Sequence, residues 1–315
     1  MTQTPVGPGH EISVPGSISN LGPAFDALSV AVDVDLRLRL LDVGAVDASA
    51  SPIFEGDVPA TGENRITTGF LAARAAFGDA APAVRVSVQS GIPMKAGLGS
   101  SAAATVAGLR LYEALTSPRD PDALMAIATR IEGHPDNAAA ALLGGLTLSC
   151  EREDGRVIVS SWEWPADLRF VVGTPEAELE TAFARKVLAP QIDRGDAIFN
   201  LQRALLLVRA LDTRRYEDLR EALRDRWHQP ARAQYVPGLN QAMALDHPAV
   251  LGVCLSGAGP SIALLATDRH AEAAGLLGGI YAGIGVPCTI RTLTARPPMA
   301  HRQSPVASRL SPEFT

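Results

Sequence analysis

The chain has 315 residues, 47% of them hydrophobic and 20% charged, with a formal net charge of −6. This is the profile of a soluble globular protein with room for one large domain or two of about 150 residues. The absence of a Lys/Arg cluster argues against a general nucleic-acid binder, and no apolar run reaches the roughly 18 residues of a membrane span. Small-molecule chemistry is favoured.

Met1 to Glu11 has neither the basic cluster nor the apolar core of a signal peptide. Cys150, Cys254 and Cys288 lie far apart in no metal-binding spacing and read as buried thiols of a reducing compartment, which places the protein in the cytoplasm. A short strand from Ile12 enters Pro15-Gly16-Ser17-Ile18-Ser19-Asn20-Leu21-Gly22-Pro23-Ala24-Phe25-Asp26, a loop held by specific contacts. Leu28–Leu40 alternates apolar with polar over its second half, as a half-buried strand does. Residues 63–77 read as an amphipathic helix and 83–89 as a strand.

The most informative stretch is Pro93-Met94-Lys95-Ala96-Gly97-Leu98-Gly99-Ser100-Ser101-Ala102-Ala103. Two glycines let the backbone turn sharply, two serines can each cap a helix, and the alanine run that follows has high helix propensity. An anion, phosphate above all, is the natural guest of the first-turn N–H groups. The pattern G-x-x-x-x-G-K-[ST] is absent. Gly97-x-Gly99-x-x-Ala102 fits a loose dinucleotide fingerprint, but neither the strand before it nor the acid-ended strand after it is there. An ordinary helix cap is the bland alternative.

A helix over Pro121–Ile131, capped by Asp120, delivers the chain to Glu132-Gly133-His134-Pro135-Asp136-Asn137. An acid beside an imidazole and an amide suits a site; a plain helix-to-helix connection with an Asn cap is the competing reading. Strands follow at 146–149 and 157–159, and a boundary near Pro165 precedes a strand over 168–172. Helices are expected at 196–211 and 215–226, the first with a core-packing stripe of Ile198, Leu201, Leu205 and Val208. A strand and glycine turn at 251–261, a strand at 262–266, a helix near 269–281 and a strand at 287–293 complete the fold. Residues 297–315 read as a mobile, disordered tail.

Asn20-Leu21-Gly22-Pro23, Pro93 to Ala103 and Ser256-Gly257-Ala258-Gly259-Pro260-Ser261 occur in the order found in the GHMP kinase superfamily, and Pro93–Ala103 matches its P-x-x-x-G-L-G-S-S-A-A loop at every fixed position. With Glu132–Asn137, Glu180–Pro190 and Asp225–Arg232, the chain most resembles the homoserine kinase family. The departures are Ala24 in place of a glycine, Glu180 before Thr181, Ala189 before Pro190, and Ala140 in place of a proline.

The resemblance implies an α+β GHMP kinase fold, with a ribosomal S5-like ATP-binding domain over 1–165 and a ferredoxin-like domain over 166–296. It implies transfer of the γ-phosphoryl of ATP to L-homoserine, with Mg²⁺ held by Ser100 and Glu132. The loop Pro93–Ala103 would cradle ATP, while Asn20, Asp26, Asn137, Thr181, Arg185, Arg232 and Gly257 would line the amino-acid site. Arg185 and Arg232 suit the substrate carboxylate and Asp26 its ammonium. Ser100, Glu132, Asn137 and Asp26 are the expected catalytic set, with the hydroxyl oriented by Asn137 and Asp26 rather than deprotonated by Asp136. Another small-molecule kinase, a decarboxylase of the same fold and a ligand sensor are the alternatives. A homodimer is left open; nucleic acid and membrane are not expected partners.

Overall fold

A computed structural model describes residues 6–47, 51–59 and 63–299. The expectations on Met1–Pro5, and those on a tail at 300–315, lie outside the described residues. The first sheet begins with β1 (Glu11–Ser19) antiparallel to the long β2 (Leu28–Val46). β3 (Ile53–Gly56) leads to α1 (Arg65–Phe77), capped by Asn64 Oδ1, which accepts from the N–H groups of Ile66 and Thr67. β4 (Pro82–Ser90), α2 (Ser100–Leu115), α3 (Pro121–Glu132), α4 (Asp136–Leu143), β5 (Leu146–Glu151) and β6 (Val157–Trp162) follow. The strand order is β3-β4-β2-β5-β6, with β1 attached to β2. Only the β3–β4 pair is parallel.

β1 runs through Pro15 and Gly16, where a loop was expected. It pairs with β2 alone, so the missing Pro15 N–H leaves no ladder donor wanting, and a register shift between Pro15 and Gly16 absorbs the irregularity.

The second sheet consists of β7 (Arg169–Pro175), β8 (Gly252–Leu255), β9 (Ile262–Ala266) and β10 (Cys288–Leu293) in the order β10-β7-β9-β8, all antiparallel. Between β7 and β8 lie α5 (Thr181–Lys186), α6 (Arg194–Thr213), α7 (Leu219–Ala222), α8 (His228–Arg232) and α9 (Leu239–Met243); α10 (His270–Gly283) joins β9 to β10. This β-α-β-β-α-β order is ferredoxin-like. One apolar cluster takes in residues of both sheets, among them Leu28, Val30, Phe170 and Cys254, and fixes them to each other.

The structure corrects four expectations. The helix expected over 215–226 is a 3₁₀ turn followed by the single turn of α7, because side chains take over the amides beyond it. Asn200 Oδ1 accepts from Arg226 N–H, and the Asp225 carboxylate accepts from Trp227 and Gln229 N–H. The α6 stripe does not pack in the core: Ile198, Leu201 and Leu205 are 44%, 61% and 64% exposed. The buried face carries Phe199, Asn200, Leu207, Ala210 and Leu211, which at 3.6 residues per turn lies on the opposite side of the helix. Of the three cysteines only Cys254 is buried, its thiol pushed up to about 12 by desolvation; Cys150 points outward from β5 and Cys288 opens the end strand β10. The first tail residues are held, Met299 N–H donating to Leu143 O at 2.7 Å.

Candidate active site

The glycine loop is wedged between the other two glycine-bearing motifs. Its carbonyls are consumed by them: Ser17 N–H donates to Leu98 O, Ser256 Oγ–H to Gly97 O and Ser261 N–H to Ala96 O, at 3.0, 2.7 and 3.2 Å. Gly97 and Gly99 have φ of +76° and +71°, and a Cβ on Gly99 would sit 2.2 Å from Ser17 Oγ. Contrary to the serine-cap expectation, the N-cap of α2 is Gly99, with no side-chain bond. The first helical bond runs from Ala103 N–H to Gly99 O at 2.9 Å. Among the described residues, the N–H groups of Ser100, Ser101 and Ala102 therefore meet no protein acceptor, and they open onto a cavity at the positive end of a 16-residue helix.

On another wall of the cavity, the loop after β1 places left-handed backbone at Asn20 (φ 73°), Leu21 (42°), Gly22 (71°) and Asp26 (56°). Ala24, which replaces a glycine of the family pattern, is not among them, so that departure imposes no strain there. Asn20 is locked from both ends of its amide, Oδ1 accepting from Asp26 N–H at 3.0 Å and Nδ2 donating to Gly257 O at 2.9 Å. The Arg185 fork, expected to face the ligand, is spent on Asp26 in a two-point pair at 2.9 and 2.6 Å.

Arg232 is only 2% exposed. Its Nε donates to Ala184 O at 3.0 Å, while Nη1 donates to Gly257 O at 3.1 Å and to His228 Nδ1 at 3.2 Å. Nη2 has no protein partner among the described residues, and the side chain lines the cavity. Burial, then repulsion from Arg185, pushes the guanidinium down to about 10, so it stays a cation at neutral pH. Burial also lowers the pKa of His228, whose neutral ring accepts from Arg232 at Nδ1 and donates from Nε2 to Gly22 O at 2.7 Å.

The third wall is the turn from α3 into α4. Gly133 ends α3 in a left-handed conformation. Asn137 is no cap; it sits inside α4, its Oδ1 accepting the hydroxyls of Ser17 and Ser19, each at 2.7 Å. His134 Nδ1 lies 2.5 Å from Asp136 Oδ1. Burial alone would lower the pKa of His134, but the hydrogen bond and charge of Asp136 outweigh it, and the net shift is upward. Ligand atoms of Asp26, His134 and Asp136 all lie within 4.8 Å of one another. Glu132 Oε1 accepts from Thr105 Oγ1 at 2.6 Å.

These walls enclose a cavity of ≈ 370 Å³. Of the sequence-derived candidates it collects Asn20, Asp26, Lys95, Gly97, Gly99, Ser100, Ser101, Ala102, Glu132, Asn137, Thr181, Arg185, Arg232 and Gly257. Ala96, Leu98 and Ala103 are buried behind the loop, and Met94 is 72% exposed at its outer bend. Phe25, Arg65 and His134 also line the cavity, though the sequence reading assigned them no role. His134 lay inside a motif already singled out; nothing in the sequence sets Arg65, at the start of α1, apart.

The family model described as "GHMP kinases N terminal domain" matches residues 64–145, and "GHMP kinases C terminal" matches 207–276. The chain is 34% identical over 287 residues to homoserine kinase of Moorella thermoacetica, covering 90% of this chain and 96% of that one. It is 38% identical over 261 residues to homoserine kinase of Thermus thermophilus, covering 80% and 85%. The crystal structure of homoserine kinase from Cytophaga hutchinsonii superposes with a TM-score of 0.78 at 26% identity, covering 94% of this chain and 98% of that chain. With a GHMP model matching a segment of each half and relatives a third identical over nearly their whole length, the chain belongs to the homoserine kinase family of the GHMP kinases.

Proposed function

We propose that the chain transfers the γ-phosphoryl group of ATP to the side-chain hydroxyl of L-homoserine, forming O-phospho-L-homoserine for threonine biosynthesis. One observation carries this reading: the acceptor-free amides at the start of α2 and the unpaired Nη2 of buried, charged Arg232 face the same ≈ 370 Å³ cavity. The first suits a polyphosphate and the second the carboxylate of an amino acid.

Phosphoryl transfer needs alignment and neutralised charge more than covalent work. The amides of Ser100, Ser101 and Ala102 grip the phosphate chain. Arg232 Nη2 takes the homoserine carboxylate in a one-sided contact, since its other donors are spent on the protein. Asp26, held by Arg185, faces the ammonium. Asn137, its carbonyl oxygen fixed by two serine hydroxyls, turns its Nδ2 to the acceptor hydroxyl and orients it. Asp136 Oδ1 is engaged by His134 Nδ1 at 2.5 Å, so that oxygen is already taken by a neighbouring side chain. This favours orientation over proton abstraction.

Ser100 and Glu132 would hold Mg²⁺: both offer hard oxygen donors on the cavity wall, and Glu132 Oε2 has no hydrogen-bond partner among the described residues. Bound there, the ion supplies charge neutralisation on the phosphate oxygens. The test is ATP consumption by the purified chain with L-homoserine, L-serine and mevalonate in parallel. Turnover of homoserine far above serine is expected, because the extra methylene carries the hydroxyl to the γ-phosphate; equal turnover of both, or turnover of mevalonate alone, refutes the assignment.

A further inference from the structure

The start of α1 brings a side chain to the cavity that the phosphoryl-transfer scheme leaves unused. α1 and α2 run side by side in one direction: Arg65, Ser100 and Ser101, in their first turns, line the same cavity, and near their far ends Tyr112 Oη accepts from Asp79 N–H, just past α1, at 3.0 Å. Glycine lets the two backbones close up, since a Cβ on Gly69 would sit 2.2 Å from Thr105 O and one on Gly108 2.1 Å from Ile66 O. Arg65 is the first residue of α1 and stands on the side of the positive end of α2, where the dipoles of both helices disfavour a cation. Its guanidinium is loosely held. Nη1 donates to Ile131 O, among the last carbonyls of α3, at 3.4 Å, and Nη2 lies 3.5 Å from Oε2 of the exposed Glu63. The other Lys and Arg cations of the wall are committed: Lys95 to Glu178 at 2.8 Å, Arg185 to Asp26, and Arg232 to three protein acceptors and the amino-acid end of the cavity.

We propose that Arg65 is a nucleotide-binding residue: when ATP enters, its guanidinium leaves Glu63 and pairs with oxygens of the phosphate chain that the α2 amides hold. The inference rests on the ATP reading above and adds to it a full positive charge, where the amides of Ser100, Ser101 and Ala102 offer partial charge alone. A guanidinium suits this place because its donors form a planar fork that meets two phosphate oxygens at once. Leaving Glu63 costs little, since an exposed ion pair at this separation contributes little. Ile131 directly precedes Glu132, so Arg65 stands between the helix whose amides face the phosphates and the turn that would hold Mg²⁺. An anion bound there also removes the electrostatic misfit, because the cation at the head of α1 then faces a negative charge instead of helix ends of its own sign.

Displacement of a fluorescent ATP analogue from the full chain by ATP and by adenosine, with no homoserine present, tests this. Arg65→Gln removes the charge yet keeps a donor for Ile131 O. It should raise the ATP dissociation constant about 10-fold or more, as loss of a hydrogen bond between charged groups does, and leave that of adenosine unchanged. Arg65→Lys should recover most of the ATP affinity. Added salt should weaken ATP binding to the wild type more steeply than to Arg65→Gln, because screening acts on the pair that the variant lacks. An arginine that merely closes the end of α3 gives none of these differences, and a thermal melt of each variant confirms that it is folded. Unchanged ATP affinity in Arg65→Gln, adenosine weakened as much as ATP, or Arg65→Lys no better than Arg65→Gln overturns the proposal and leaves the kinase reading standing. A wild-type chain that binds no ATP overturns that reading and the proposal with it.

Discussion

Arg232→Lys separates the substrate role of this side chain from its structural one. The arginine spends donors on Ala184 O, Gly257 O and His228 Nδ1, all in a buried setting, and presents Nη2 to the cavity. A lysine keeps the charge but cannot reach in three directions. Stranding one or two of those acceptors costs roughly 1–3 kcal/mol each. For a chain of this size the melting temperature should fall by several degrees, at about 2–4 °C per kcal/mol. On the substrate side, losing a desolvated pair costs roughly 2–5 kcal/mol; retention of charge puts the change at the low end, so a homoserine KM raised about 30-fold is expected, with the ATP KM almost unchanged. Initial-rate titration of each substrate, with a thermal melt of the same sample, gives both numbers. A lower melting temperature with an unchanged homoserine KM would make Arg232 a brace for the Ala184 and Gly257 backbone and refute its role in binding.

Ser100→Ala and Glu132→Gln should each lower kcat by about 100-fold or more with the melting temperature nearly unchanged; near-normal kcat in either removes that residue from the metal site. Gly99→Ala puts a methyl 2.2 Å from Ser17 Oγ at a φ of +71°, so ATP binding and stability should fall together, and a variant with native ATP KM would show that the loop has slack. His134→Gln tests the pair with Asp136. Because the folded pKa of His134 is raised, the pair's contribution is complete below the ordinary value of about 6.5 and fades as pH rises through the folded value. Wild type should therefore lose its stability advantage over His134→Gln between slightly acid and alkaline pH. A difference independent of pH would refute the shift.

What the sequence revealed, and what it hid, follows from the range of the forces involved. The Gly97 and Gly99 turn, the Asp120 and Pro121 start of α3 and the period-2 pattern of β2 are local, and local rules read them. Several readings that failed involved a partner distant in the chain, although the serine cap of α2 gave way to its neighbour Gly99 and the helix expected over 215–226 partly to Asp225, which takes the Trp227 and Gln229 N–H groups. Nothing local in the first loop showed that Asn20 and Asp26 would take the left-handed conformation themselves, because Asn20 is held by Gly257 O, 237 residues on, and Asp26 by Arg185, 159 residues on. The two arginines of the amino-acid pocket looked equivalent, yet Arg185 is committed to Asp26 across 159 positions while Arg232 keeps one nitrogen for the cavity. Ser17 and Ser19 drew no attention beside Asn137, although their hydroxyls are what fix its amide.

The α6 stripe is the sharpest case, since its periodicity was read correctly and its direction was not. A 3-and-4 spacing says that residues share a face; it does not say what the face meets. The helix has two apolar faces, and the one built from Phe199, Leu207, Ala210 and Leu211 took the core. Which of two apolar faces is buried depends on what residues distant in the chain present to the helix, and spacing along the helix holds no record of that.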